Sequence, residues 1–279
     1  MSIGEQTKRE LPSPTRLRFV RENVLAYFAL FKRKPRPLAI TPRVHLAIWL
    51  VVATVLLGCT MRFVDAWAVG VAQGLPTWLI GVLDRITDFG RLTWILVPTG
   101  ALLLLIAFLA SPALPRFSQG VLASIAVRLS FLFTACALPG LVASIVKRLI
   151  GRGRPLVAGS ADPFLYHPLG WNVEYAGLPS GHATNAFAAA VAVGALWPRM
   201  RPLMWTYAIV IALTRIALTA HFPSDVLAGA VIGAAGAIWV RRWFAARRLG
   251  FFQDQEGIIR CLAGPSFSRL KRVAGGLLA

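Results

Sequence analysis

The stretch LTWILVPTGALLLLIAFLASPALP, residues 92–115, runs for 24 residues between Arg91 and Arg116 without a Lys, Arg, Asp or Glu. At the α-helical rise of about 1.5 Å per residue this is enough to cross the roughly 30 Å hydrocarbon core of a bilayer. Two further stretches, 44–61 and 129–146, each hold 18 residues free of those four types. Three more apolar segments, about 183–198, 202–220 and 225–240, are less clean. The outer two are short for a span and the middle one contains Arg215. After three clear spans they read as inner helices of the same bundle, closing around a polar site near one face. Gly229 and Gly233 form a G-x-x-x-G pair in the last of them. Such a pair lets helix backbones approach closely in a membrane, although a merely small-residue face would look the same.

Composition agrees with this reading. Of 279 residues, 57 % are hydrophobic and 15 % charged, and the formal net charge is +19. A nucleic-acid binder would spread its basic residues over a folded polar surface with aromatics between them. Here they occupy tails and short loops between apolar runs, the pattern of a membrane protein anchoring its cytoplasmic side. No nucleic-acid partner is expected. Cys59 and Cys136 lie in apolar runs and Cys261 near the C-terminus, which suggests no disulfide framework. Four histidines without a dense Cys/His cluster make a structural metal site an unneeded assumption.

Six spans put both termini on one side, and the basic residues select it. The N-terminal arm, the segments around Arg116/Arg128 and Arg199/Arg201, and residues 241–279 carry 22 of the 30 Lys/Arg, against 8 on the other side. The positive-inside rule then places both termini in the cytoplasm. The expected organisation is an all-α integral membrane bundle of six transmembrane helices over residues 44–241. A basic cytoplasmic arm (1–43) precedes it and a basic cytoplasmic tail (242–279) follows. In the arm, Phe19, Val20, Val24, Tyr27, Phe28 and Phe31 recur near helical spacing beside Arg18, Arg21, Lys32, Arg33 and Lys34. Either a helix on the anionic leaflet or a frayed tail satisfies that pattern. Residues 63–90, apolar with Trp67 and Trp78, are expected in the outer interface as an entrance or a cap.

The loops left facing outward hold three polar blocks, each at the mouth of a span: Lys147-Arg148-Leu-Ile-Gly-Arg152-Gly-Arg154-Pro155, Pro179-Ser180-Gly181-His182, and Thr214-Arg215 followed by His221-Phe-Pro-Ser-Asp225. Ionisable groups at membrane depth are expensive, so their convergence implies function. Lys147, Arg154 and Arg215 offer cationic donors that match phosphate oxygens. Ser180 stands at an N-cap position, and the free amides after it, with Gly181 allowing close approach, make an anion site. Two histidines can supply a nucleophile and a proton donor, and Asp225 can orient an imidazole and stabilise its cation. Each block alone has a plainer reading: a solvated basic loop, a packed histidine, a helix-start carboxylate. His45 and His167 are given no role.

Taken in order and spacing, the three blocks resemble the signature of the type 2 phosphatidic acid phosphatase superfamily, which also includes vanadium haloperoxidases and class A bacterial acid phosphatases. The resemblance implies that His221 is the nucleophile forming a phosphohistidine, with Asp225 as its orienting carboxylate and His182 as the general acid. Lys147, Arg154, Ser180, the Gly181 amide and Arg215 would bind phosphate, and no metal or other cofactor is implied. Thr214 replaces the usual Ser before the arginine but keeps the hydroxyl. The implied activity is hydrolysis of a lipid phosphate or diphosphate at the periplasmic face of a bacterial inner membrane. Undecaprenyl diphosphate, phosphatidylglycerol phosphate, phosphatidic acid and lipid A are candidate substrates. A lipid phosphotransferase using the same intermediate, or a non-enzymatic transporter or scaffold, are the alternatives. Neither the substrate nor the oligomeric state is legible.

Overall fold

The structure, a computed structural model, describes residues 16–39, 43–111 and 114–278. The part of the basic arm before residue 16 lies outside them. Among the described residues the chain is mostly helical. Helix α1 is Arg16–Phe31 and α2 is Arg43–Cys59. A wide turn, Thr60–Val64, carries α2 without a break into α3, Asp65–Gln73. Helix α4 (Thr77–Thr87) leads through a tight turn at Asp88–Gly90 into α5 (Thr93–Leu109). Four long elements follow: α6 (Arg116–Ile150), α7 (Gly181–Leu196), α8 (Arg201–Ala217) and α9 (Pro223–Ala246). A two-stranded antiparallel hairpin, β1 (Phe251–Gln253) with β2 (Ile259–Cys261), and α10 (Phe267–Leu278) complete the chain.

Four helical stretches among the described residues are long and apolar enough to cross a membrane: Val44–Gln73, Thr77–Leu109, Arg116–Ile150 and Pro223–Ala246. The expected segments at 183–198 and 202–220 fall on α7 and α8, which are shorter, so length alone supports four crossings. Residues 63–90, expected as an entrance or a cap, are largely helical. Arg62 does not end the helix before them: it sits in the widened turn, through which the chain continues to Gln73. Large apolar side chains along α2, among them Val44, Trp49, Leu50 and Val55, face outward, as a lipid-facing surface requires.

Helix α7 is the axis of the bundle, packed against α6, α8 and α9. Its buried side is almost all alanine: Ala183, Ala186, Ala188, Ala189, Ala190, Ala192 and Ala195. Small residues on the facing helix complete the fit. A Cβ on Gly229 would fall inside contact distance of the Ser180 carbonyl oxygen, and one on Gly233 inside that of the Thr184 oxygen. The G-x-x-x-G pair is therefore a backbone-to-backbone seam between α7 and α9, and it fixes α9 against the start of α7.

The other end of the bundle is closed by aromatic packing. Phe131 of α6 meets Phe244 of α9 and Phe251 of β1, with ring centroids 5.5 and 4.6 Å away. Phe31 of α1 stacks on Trp243 at 5.6 Å, and the Arg247 Nε donates to its carbonyl at 3.1 Å. Within α1, the Asn23 amide donates to the carbonyls of Ala107 and Ala110, at 3.0 and 2.6 Å, at the end of α5. Part of the basic arm is thus a docked helix, and the segment after Ala246 is anchored in the core through Leu249 and Phe251. At the helical rise, the 24 residues of α9 separate this aromatic end from Pro223 by about 36 Å.

Candidate functional site

The three polar blocks meet at the opposite end, where α6 and α8 finish and α7 and α9 begin. Helix α6 stops at Gly151, whose φ of 63° only glycine adopts easily and whose amide closes on the Lys147 carbonyl at 3.0 Å. The chain then runs inward. Arg154 N–H donates to Glu174 O at 2.8 Å, Gly177 N–H to Arg152 O at 2.9 Å, and Ser180 N–H to Asp225 O at 2.9 Å. That last bond ties the second block to the third. The first and second also touch: the Lys147 amine lies 3.3 Å from where a Cβ on Gly181 would stand. On α8, the Arg215 carbonyl accepts the amides of Ala220 and His221 at 3.1 and 3.2 Å, a turn that delivers His221 to the site.

His221 and Asp225 are both buried, and Nδ1 of the imidazole stands 3.6 Å from Oδ2 of the carboxylate. This is longer than a hydrogen bond, so the pair is held by charge and position. Asp225 Oδ2 also accepts the Phe222 amide at 3.0 Å, the helix-start role considered from sequence, while the same oxygen faces His221. Burial holds the His221 pKa below its ordinary value. Asp225 opposes that shift, while Arg154 and Arg215 add to it through space. Burial likewise lowers Arg154 from its usual range.

Five buried side-chain polar atoms among the described residues have no hydrogen-bond partner: Arg154 Nε, Ser180 Oγ, Arg215 Nε, His221 Nδ1 and Arg241 Nε. Four of the five belong to the expected site. Orphaned buried donors are rare, and a cluster of them on two arginines and a serine is what an anion-binding cradle looks like. Ser180 departs from one expectation. It occupies the position before α7, but its hydroxyl caps no amide; only its carbonyl engages the helix, accepting from Thr184. The hydroxyl is left for another partner. The first amides of α7 have no intrahelical acceptors either. Thr214 Oγ1 is 3.0 Å from Thr87 Oγ1, and the same Thr87 oxygen accepts Arg215 Nη1 at 2.9 Å. The hydroxyl at position 214 thus braces the arginine through α4.

Two residues of the site escaped the sequence reading. Arg152, there part of a basic loop, is completely buried. Its Nη1 donates to Asp225 Oδ1 and Ser224 Oγ, both at 2.6 Å, its Nη2 to Asp65 Oδ2 at 2.7 Å, and its Nε to Pro163 O at 2.9 Å. Its Cζ lies 4.6 Å from the centre of the Phe222 ring. The second residue is Asp65, also completely buried, at the first position of α3. A signal for it did exist: it is the sole acidic residue between positions 44 and 83. A lone carboxylate in so apolar a stretch carries the same functional implication as the three blocks.

Comparison with known proteins bears on this site. Residues 128–249, which contain all three blocks, match the model of the PAP2 superfamily. A lipid A 1-phosphatase of Rhizobium etli is 38 % identical over 104 residues, 37 % of this chain and 45 % of the relative, so the match spans less than half of that protein. A decaprenylphosphoryl-5-phosphoribose phosphatase of Mycobacterium tuberculosis is 36 % identical over 140 residues, 48 % of this chain and 68 % of the relative. The crystal structure of Aquifex aeolicus LpxE overlays 63 % of this chain and 93 % of that one, with a TM-score of 0.45 and 22 % identity. The assignment rests on the sequence matches and on a shared segment that holds the polar blocks: the chain belongs to the PAP2 superfamily.

Proposed function

We propose that the protein is a membrane-embedded phosphatase that removes phosphate from a lipid at the outer face of the membrane. The observation that carries this reading is the set of buried, unpartnered donors on Arg154, Ser180 and Arg215, the two arginines acting on His221 through space and Ser180 bonded to the Asp225 carbonyl. A phosphate seated there would accept from both guanidinium groups, from the Ser180 hydroxyl and from the Gly181 amide, with the Lys147 amine beside it. With Nδ1 turned toward Asp225, the other ring nitrogen of His221, Nε2, is the one available to attack.

In the first step the His221 Nε2–phosphorus bond forms and the bond to the lipid oxygen breaks, while His182 gives that oxygen a proton. Charge develops on the equatorial oxygens, where the donors are already in place and need not reorganise. Asp225 balances the positive charge of the phosphorylated ring. In the second step water attacks phosphorus, His182 takes up its proton, and the nitrogen–phosphorus bond breaks. The lipid stays in the leaflet throughout, since only its phosphate must reach the polar end of the bundle. We place this end outside, with six crossings and both termini in the cytoplasm, on the distribution of Lys and Arg. Both sequence relatives carry names of phosphatases acting on lipid-linked substrates, which supports a substrate of that class.

The test is phosphate release by the purified full-length protein in detergent, with chelator present. The panel is undecaprenyl diphosphate, phosphatidylglycerol phosphate, phosphatidic acid and lipid A, beside a His221→Ala control. Release by the wild type and none by the variant is expected. Undiminished release by His221→Ala would overturn the assignment, and phosphate recovered on a second lipid would redefine the enzyme as a transferase.

A further inference from the structure

Asp65 lies far in sequence from the three blocks, yet it completes their charge balance. Arg152 is clamped between two carboxylates, Asp225 Oδ1 at 2.6 Å and Asp65 Oδ2 at 2.7 Å, and all three side chains are shielded from solvent. Ser224 bridges the group again: its amide donates to Asp65 Oδ1 at 2.9 Å and its hydroxyl to Asp65 Oδ2 at 2.5 Å, while that hydroxyl accepts from Arg152. The wide turn at Thr60–Val64 sets Asp65 at the head of α3, and such turns inside helices concentrate at functional sites.

Consider the charges. Arg152 and Asp225 alone would form a neutral pair, and the field of Asp225 at His221 would be largely cancelled by the guanidinium bonded to its other oxygen. A second carboxylate on the far side of Arg152 leaves the cluster with a net charge of −1, beside an imidazole that already faces Arg154, Arg215 and, nearby, His182. Burying three ionised groups is costly, and a purely structural role would be served as well by apolar packing.

Resting on the assignment of His221 as nucleophile, we propose that Asp65 is a positioning residue that acts through Arg152, occupying the guanidinium so that Asp225 keeps its negative charge available to His221. The lipid phosphate never touches it.

The test uses the full-length protein in detergent. Asp65→Asn keeps the shape and an acceptor for the Ser224 amide but neutralises the cluster. The expected result is a kcat lowered by about tenfold or more with KM little changed, and an acid limb of the kcat/KM profile moved about one pH unit lower. The decisive variant is Asp65→Asn combined with Arg152→Gln, which removes one charge of each sign and restores the net −1 on Asp225. Partial recovery of kcat over Asp65→Asn alone is expected; a double variant as poor as or poorer than the single one would overturn the proposal. Should Asp65→Asn fail to fold, Ser224→Ala decides, since it cuts the hydroxyl bridge and leaves both carboxylates charged. An unmoved acid limb is then expected, and a shifted one would overturn the proposal. Activity surviving in His221→Ala would instead strike the nucleophile assignment, a separate failure.

Discussion

Nδ1 of His221 stands 3.6 Å from Oδ2 of Asp225, four residues further along the chain, and both groups are buried. The imidazole thus has a carboxylate beside one nitrogen and feels the guanidinium groups of Arg154 and Arg215 through space. Two constraints follow from the proposed role of His221 as nucleophile. The ring must stay neutral to attack, and it must tolerate becoming positive once phosphorylated.

The first constraint has a pH signature. Burial holds the folded pKa of His221 below the ordinary 6.5. The group is therefore neutral, and the enzyme active, to lower pH than a free imidazole would allow. The acid limb of kcat/KM should fall below pH 6.5, and replacing Asp225 by Asn, which removes the attraction opposing the shift, should move it lower still. A pH–rate profile on the preferred lipid measures both. The stability sign is consistent: below pH 6.5 the unfolded chain takes up the proton first, so stability declines as pH falls.

Ser180→Ala separates binding from folding. Because the buried hydroxyl makes no bond within the fold, its loss should leave the thermal midpoint close to that of wild type. Removal of a donor aimed at developing charge should lower kcat by about 10²-fold. A large loss of stability would mean that the hydroxyl is a structural cap after all.

Arg154→Lys should not rescue what Arg154→Ala destroys. Lysine keeps the charge but loses the planar fork, so both variants should lie about 10²-fold or more below wild type in kcat/KM. Full activity in the lysine variant would show that only a point charge is needed at this position.

Gly233→Ala should destabilise the bundle by about 1–3 kcal/mol, because its methyl meets the Thr184 backbone oxygen and not a side chain that can turn away. Phe251→Ala should lower stability by about 3–5 kcal/mol through the cavity left beside Phe131. Thermal unfolding in detergent reports both. Only the glycine variant is expected to change kcat as well, since the seam it opens runs to Ser180, whereas Phe251 lies the length of α9 away.

The membrane character and the three blocks were legible in sequence for one reason: both are local patterns, a run of apolar residues or a fixed spacing of polar ones. What tertiary contact decides was not. Arg152 and Arg154 sit two residues apart in one basic run, yet one is locked between carboxylates and the other turns to the cradle. Nothing in their spacing separates those fates. Asp65 was hidden by distance, standing 87 positions before Arg152. The continuity of the helical stretch from Val44 to Gln73 was not legible because Arg62 was taken as a boundary, although a helix can carry an arginine past the apolar core. The docking of Phe251 and Asn23 into the bundle was equally invisible, since an aromatic or an amide in a basic terminal segment has no periodicity to betray its partner.

The alanine side of α7 has a consequence for how such an enzyme can diverge. A helix packed backbone against backbone has no side-chain volume to trade, so almost any substitution on it shifts the first turn that carries Gly181 and His182. Heritable change in substrate preference must then accumulate elsewhere, in segments free to vary in length and shape. The parts of α3 and α4 beyond Asp65 and Thr87, and of the loop between Pro155 and Leu178 away from the Pro163 and Glu174 carbonyls, offer that freedom, while the chemistry at the centre is inherited as a rigid unit.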